Sequence, residues 1–211
     1  MSMYFCDKGI VLRQRPLRDS DRIVTIFGSE SGRLEINFKS VRKQKSKLRP
    51  LSETFVMGDY RFYSKSGSAL PVCTGGKVLN VYPGIRLSPD KMFYAFYFCE
   101  LMTNLTPLGQ PASEKFELLK NALDYLEKKE QDFRLLLSYS LLLLDYCGVG
   151  FRRSNLGFSE ELWERLHSKD FSKLSGIKED RKVLDLVAQQ VFEKIREHSG
   201  RDINSLKFVK I

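Results

Sequence analysis

Arg33-Leu34-Glu35-Ile36-Asn37-Phe38-Lys39 alternates apolar and polar side chains without a break. A period of two sets Leu34, Ile36 and Phe38 against a core and turns Arg33, Glu35, Asn37 and Lys39 outward, so this stretch is a half-buried strand. Runs of the same texture flank it at 9–13, 22–27, 54–63 and 70–81. Turn signals separate them, Ser29-Glu30-Ser31-Gly32 on one side and Ser64-Lys65-Ser66-Gly67-Ser68 on the other. Five short strands within eighty residues predict a small β-barrel. Gly58 and the pair Gly75-Gly76 fall inside strand patterns, where bulges or bends let a short strand curl closed.

Past Val81 the period changes. Val81-Tyr82-Pro83-Gly84 reads as a turn-like connector, and Ser88-Pro89 as an N-cap followed by a proline at the first helical position. A helix to about Thr103 follows, and Ser113 is expected to cap a second that ends near Lys129. Asp132 to Cys147 is apolar nearly all round, which predicts a helix packed on several sides. Ser159 caps a short helix through Leu166, and Val183, Val187, Val191 and Ile195 recur at i+4 along a last one that stops at Gly200. The predicted class is α+β: a five-stranded OB-type barrel over 1–80 and an all-helical domain over 81–211.

Composition narrows the function. Of 211 residues 42% are hydrophobic and 12% aromatic, enough for a real core, which excludes disordered and fibrous classes. The net charge is +9, and residues 1–80 hold fifteen Lys and Arg against seven Asp and Glu, a local excess of +8. A basic barrel joined to a near-neutral helical domain points to a polyanionic partner for the barrel. Between Ile36 and Ser52 six cations, Lys39, Arg42, Lys43, Lys45, Lys47 and Arg49, occur without an acid. On a loop leaving the alternating strand they would track a phosphate backbone and release its condensed counterions; a merely solvated basic loop is the plainer reading. Tyr60, Phe62 and Tyr63 lie near the end of the fourth strand, so at least one is expected to face away from the core, where it is open to stack on a base; filling the barrel or its seam with the next domain is the plainer reading.

Covalent chemistry finds little support. Thr74-Gly75-Gly76-Lys77 lacks the spacing of a phosphate loop and reads as a bent strand; no G-x-S-x-G or H-E-x-x-H occurs. His167 and His198 sit on polar stretches and read as surface residues. Cys6, Cys73, Cys99 and Cys147 are scattered, which argues against a zinc site and, with no secretory signal at the start, for reduced thiols in the cytosol. The apolar run 133–149 carries Arg134, Ser138, Ser140 and Asp145 and is too polar to span a membrane. No metal, cofactor or catalytic residue is expected. With no apolar stripe left over once the helices pack, a monomer is expected.

Several segments resemble one family, the bacterial recombination mediator RecO. Gly9-Ile-Val-Leu-Arg13, Asp19-Ser-Asp-Arg-Ile-Val-Thr-Ile-Phe27 and Gly32-Arg-Leu34 are similar to its first strands and turn, with Asp19 where a glutamate is usual. Lys39-Ser-Val-Arg-Lys43 with Ser46 is similar to its basic loop, with Ser40 in place of a common glycine, and Ser199-Gly-Arg-Asp-Ile-Asn-Ser-Leu-Lys-Phe208 to its last helix exit. The resemblance implies an OB fold, no catalytic residues, binding of single- and double-stranded DNA, and annealing of complementary strands. The partners it implies are RecR and the acidic tail of single-strand binding protein, in support of RecA loading. Many members carry a four-cysteine zinc site that Gly150 to Ile177 lacks; Phe151, Leu156, Phe158, Leu162 and Trp163 are expected to hold that region instead.

On these grounds Arg13, Arg33, Lys39, Arg42, Lys43, Lys45 and Lys47 are the candidate DNA contacts. Arg134, with Phe116 and Leu119, is the candidate dock for the acidic tail. An OB-fold RNA-binding or ribosome-associated factor is the alternative, and a nuclease with dispersed carboxylates ranks below both.

Overall fold

Five strands curl into a closed barrel in the computed structural model, which describes residues 3–65, 70–152 and 159–208. They are β1 (Met3–Pro16), β2 (Arg22–Gly28), β3 (Gly32–Phe38), β4 (Met57–Ser64) and β5 (Val72–Asn80), in the spatial order β1-β2-β3-β5-β4. All pairings are antiparallel except the closing one, a parallel contact of β3 with β5 at Asn37 and Val72. This is the OB fold, and the five predicted strands are all present. β1 is longer than its apolar run suggested, because residues 3–10 pair with β4 while residues 9–16 pair with β2.

The barrel core follows from the alternation. Ile36 and Phe38 are fully buried and meet Val11, Val24, Ile26, Val56, Tyr60 and Phe62, with Leu34 packed at the margin. Each such side chain removed from water contributes about 2 kcal/mol. β5 slips register against β4 twice, so that Leu79 and Thr74 have no partner opposite them. Gly76 is required between those slips: a Cβ there would lie 2.5 Å from the Asp59 carbonyl oxygen.

Residues 1–83 with 106–117 form one compact unit, and 84–105 with 118–211 a second. The helices are α1 (Pro83–Leu87), α2 (Pro89–Leu105), α3 (Ser113–Lys128), α4 (Phe133–Tyr146), α5 (Glu160–Leu166) and α6 (Arg181–Ser199). α1 replaces the second half of the expected connector. The Glu127 carboxylate accepts the Gly84 and Ile85 amides at 2.8 and 2.9 Å, supplying the acceptors this one-turn helix lacks at its start. Ser88 caps α2 as expected, whereas α3 begins at Ser113 itself, with the Ala112 carbonyl taking its first hydrogen bonds.

α4 is the centre of the second unit, packed against α2, α5 and α6. Leu135, Leu136, Leu137, Leu143 and Leu144 are wholly buried, and its polar side chains are satisfied inside the core. The Tyr139 hydroxyl donates to the Phe98 carbonyl at 3.0 Å, Ser138 donates to the Leu166 carbonyl at 2.6 Å, and Tyr97 and Ser140 share a hydrogen bond of 2.7 Å. Asp132 and Ser159 cap α4 and α5 through their side chains. α6 stops at Gly200, as read from the sequence.

Candidate nucleic-acid interface

The antiparallel register of β2 and β3 sets Arg22 opposite Phe38. Whatever precedes Arg22 and whatever follows Phe38 therefore emerge side by side at one end of the barrel. Two backbone contacts tie these segments together: the Arg42 amide donates to the Ser20 carbonyl at 3.0 Å, and the Ser40 amide donates to the Asp21 carboxylate at 2.7 Å. From there the chain runs through successive tight turns, Ser40 to Lys43, Lys43 to Ser46, Ser46 to Arg49 and Arg49 to Ser52.

Apolar side chains pin this loop and decide which way its cations face. Val41 is fully buried, Leu51 nearly so, and Leu48 packs half-buried against the barrel core. Lys39, Arg42, Lys43, Lys45, Lys47 and Arg49, spaced between those anchors, are all exposed. None makes an ion pair with a described carboxylate. At the loop's base Arg22 donates to Glu53 at 2.9 Å and to Ser52 at 3.1 Å, which ties the end of the loop to the start of β2. The result is a row of positive charge, without an ion pair to a described carboxylate, on a backbone held by turn hydrogen bonds and apolar anchors.

Ser40 sits at φ 53°, the left-handed region a side chain disfavours. The Asp21 hydrogen bond holds it there. Ser40→Gly is expected to raise unfolding free energy by about 0.5 kcal/mol, the relief of strain less the added chain entropy of glycine. Urea titration checks this, and a loss of stability would contradict it.

Five of the seven predicted contacts thus come together, and two do not. Arg13 lies on the outer face of the sheet, donating to Thr25 at 3.2 Å and pairing with Glu35 at 3.4 Å; Arg15 pairs with the other oxygen of Glu35 at 3.5 Å. The shared carboxylate already offsets part of both charges. Arg33 stands at the far end of β3 from Lys39, roughly 20 Å along the strand, half-buried where its carbonyl accepts the Gly109 amide. Arg49, counted among the six cations of the loop, is exposed on it, and Arg18, exposed in the β1–β2 turn that Ser20 and Asp21 tie to the loop, was not read as a contact.

Of the three aromatics on β4, Tyr60 and Phe62 are core residues. Tyr60 donates to the Leu51 carbonyl at 3.2 Å, and burial holds its phenol far above the ordinary range. Tyr63 faces outward against Tyr4. Burial also pushes the Cys73 thiol up to about 11, which keeps it protonated at neutral pH. Thr74 to Lys77 is strand with a bulge, as expected.

In the helical unit Arg134 is already engaged. Its guanidinium grips the Asp132 carboxylate at 2.6 to 2.9 Å and donates to the Ile177 carbonyl at 3.0 Å, and the hydrogen bonds to Asp132 raise its pKa. It borders a cavity of about 660 Å³ with Arg181, Tyr94, Phe133 and Phe208, but also with Asp90, Glu130, Asp132 and Glu179. Four carboxylates against two guanidiniums make that rim acidic. Burial, with Asp132 nearby, pushes the Tyr94 phenol up to about 12. Phe116 and Leu119, expected beside Arg134 as docking groups, are 3% and 0% exposed and offer no free surface.

The region expected to carry the replacement for zinc holds two surprises. Leu162 is buried as predicted, while Leu156 and Phe158 lie outside the described residues. His167 is not a surface residue: Trp163 stacks on it at 3.5 Å between ring centres, and its Nε2 lies 3.2 Å from Asp145. Phe151 receives Lys194 over its ring at 4.7 Å. Among the described residues no three His, Cys, Asp or Glu side chains are placed to hold a metal ion, and no helix is long and apolar enough to cross a membrane.

Comparison with known proteins follows the same division. The family described as Recombination protein O N terminal matches residues 1–82, and Recombination protein O C terminal matches residues 86–161. A DNA repair protein RecO from Gloeothece citriformis is 35% identical over 129 residues, 61% of this chain and 45% of that one. Those from Listeria monocytogenes serotype 4a and Clostridium acetobutylicum are 28% identical over 142 residues (67% and 55% of the two chains) and 26% over 161 (72% and 64%). The chain spans about half the length of the curated relatives it matches. With both halves of one family matched in order, on a closed OB barrel followed by helices, the chain belongs to the recombination protein O family.

Proposed function

We propose that this chain acts in DNA repair by binding single- and double-stranded DNA through the loop after β3 and bringing complementary strands together. The observation that carries the reading is the row Lys39, Arg42, Lys43, Lys45 and Lys47: exposed, unpaired with any described carboxylate, and fixed by Val41, Leu48 and Leu51. Two polynucleotides repel each other through their phosphates, and a cationic row that neutralises both lowers that barrier while raising their local concentration. No bond in the nucleic acid need be made or broken. On this reading the protein is not an enzyme and works in the cytoplasm beside its DNA. RecR and the acidic tail of single-strand binding protein are its protein partners, and loading of RecA is the outcome it assists; family membership supports these.

A strand-annealing assay tests the reading, with two labelled complementary oligonucleotides, with and without single-strand binding protein. Annealing should accelerate in proportion to the protein added, and structured RNA should compete poorly. Unchanged annealing would refute it, and stronger competition by RNA would favour an RNA-binding role.

Arg134 is a poor anchor for an acidic peptide, because its charge is already committed to Asp132 within an acidic rim. Arg134→Ala is therefore expected to change affinity for an acidic peptide ending in phenylalanine by less than about twofold, whereas loss of a desolvated charge contact costs tenfold or more. Fluorescence anisotropy of the labelled peptide distinguishes the two.

A further inference from the structure

We propose a second polynucleotide surface on the outer face of β1, β4 and β5, where Tyr4 and Tyr63 stack on unpaired bases and Lys8, Arg61 and Lys77 receive the phosphates; it rests on the DNA-binding reading above. The registers build it in rows. Tyr4 stands opposite Tyr63, Cys6 opposite Arg61 and then Gly75, and Lys8 opposite Asp59 and then Lys77. Neighbouring strands lie about 4.8 Å apart and successive rows about 7 Å apart, so these side chains share one continuous face.

Two tyrosines lie outside the core on this face. The barrel core is closed by Phe5, Tyr60 and Phe62 on the opposite parity of the same strands, yet Tyr4 is 75% exposed, with its ring 4.8 Å from that of Tyr63. Tyr63 is half-buried beneath it, so the exposed Tyr4 ring backed by Tyr63 forms a stacking platform, and every base presents a π-face to it. Charge decides the occupant. Lys8, Arg61 and Lys77 are exposed and make no ion pair with a described residue, and Asp59 is the single described carboxylate in these rows. Arg61 lies flat across Gly75, where a Cβ would be 3.0 Å from its Nη2; glycine leaves the guanidinium its place on the open sheet. An apolar protein partner would not call for three free cations around the rings, whereas a single strand uses both.

This face is separate from the loop. Tyr4 and Pro16 are at opposite ends of β1, with Pro16 at the loop end, roughly 40 Å of strand apart. The loop reads phosphates and is indifferent to strandedness; the platform needs bases out of the stack. It is therefore selective for single strands.

The test measures affinity of the full chain for a dT oligonucleotide and for a duplex of the same length. Tyr4→Ser with Tyr63→Ser should weaken the single strand by about tenfold or more and leave the duplex within about twofold. Tyr4→Phe with Tyr63→Phe should restore single-strand affinity. Exposed Cys6 gives a second readout that needs no variant: bound dT oligonucleotide should slow its maleimide labelling severalfold, followed on the Cys6 peptide by mass spectrometry. If the parent binds both nucleic acids while the Ser pair binds like the parent and Cys6 labels at its free rate, the platform is overturned and the loop stands. If the parent binds neither, the DNA-binding reading falls and the platform with it.

Discussion

Asp7→Ala should lower the unfolding free energy by about 3 kcal/mol, the largest stability effect expected of any single polar side chain in the barrel. Asp7 is 6% exposed, on the inward parity of β1, where it closes the end of the barrel at the β2–β3 turn. One oxygen accepts the Ser29 hydroxyl at 2.8 Å and the other accepts the Ser31 amide at 2.9 Å, with the Glu30 amide shared between them at 3.2 and 3.3 Å. Gly28 makes room, since a Cβ there would collide with the carboxylate. Hydrogen bonds to a charged acceptor contribute about 1.5 to 3 kcal/mol each, less where geometry is shared, and truncation removes the acceptor of three donors of a half-buried turn at once. Asp7→Asn keeps one acceptor oxygen and should lose about half as much. Urea unfolding followed by circular dichroism reads both, and a loss below about 1 kcal/mol for the alanine variant would show that the turn holds itself.

The second large effect is on affinity. Replacing Lys39, Arg42, Lys43, Lys45 and Lys47 together by glutamine should weaken single-strand binding about three-thousandfold at 0.1 M salt. Each phosphate contact releases roughly 0.7 of a counterion from a single strand, so between 1 M and 0.1 M salt each cation contributes about fivefold, and five contribute about three and a half decades. The same variant should keep parental stability. These side chains form no described ion pair, and the anchors Val41, Leu48 and Leu51 are untouched. Replacing Arg13 and Arg33 instead should cost about tenfold or less, because Arg13 is shared with Glu35 and Arg33 is at the wrong end of β3. Equal losses for the two sets would contradict the placement of the site.

The strands were legible because the barrel is built on alternation, and Leu34-Glu35-Ile36-Asn37-Phe38 shows it without interruption. The first half of β1 was not, for a physical reason: its inward position 7 holds an aspartate that serves the β2–β3 turn, so the apolar period breaks where tertiary hydrogen bonding replaces packing. The basic loop was legible as composition, but composition does not say which cations meet. Arg33 and Lys39 look alike on one strand, yet the strand's length parts them. Arg18 was within reach of sequence reasoning, since an antiparallel β2–β3 pair brings the residues before Arg22 beside those after Phe38. Arg134 illustrates the opposite failure. An arginine at a helix start looks available until its neighbour Asp132, the cap of the same helix, is seen to hold it. His167 looked solvated because its surroundings in sequence are polar; Trp163 and Asp145 enclose it only in the fold.

The most direct measurement of the central claim is the salt dependence of binding to a dT oligonucleotide by the parent chain and by the five-residue glutamine variant. A backbone grip by this loop predicts that log K falls with log salt concentration with a slope flatter in the variant by about 3.5, five contacts at about 0.7 each. Parallel lines for the two proteins would mean that the phosphates are held elsewhere.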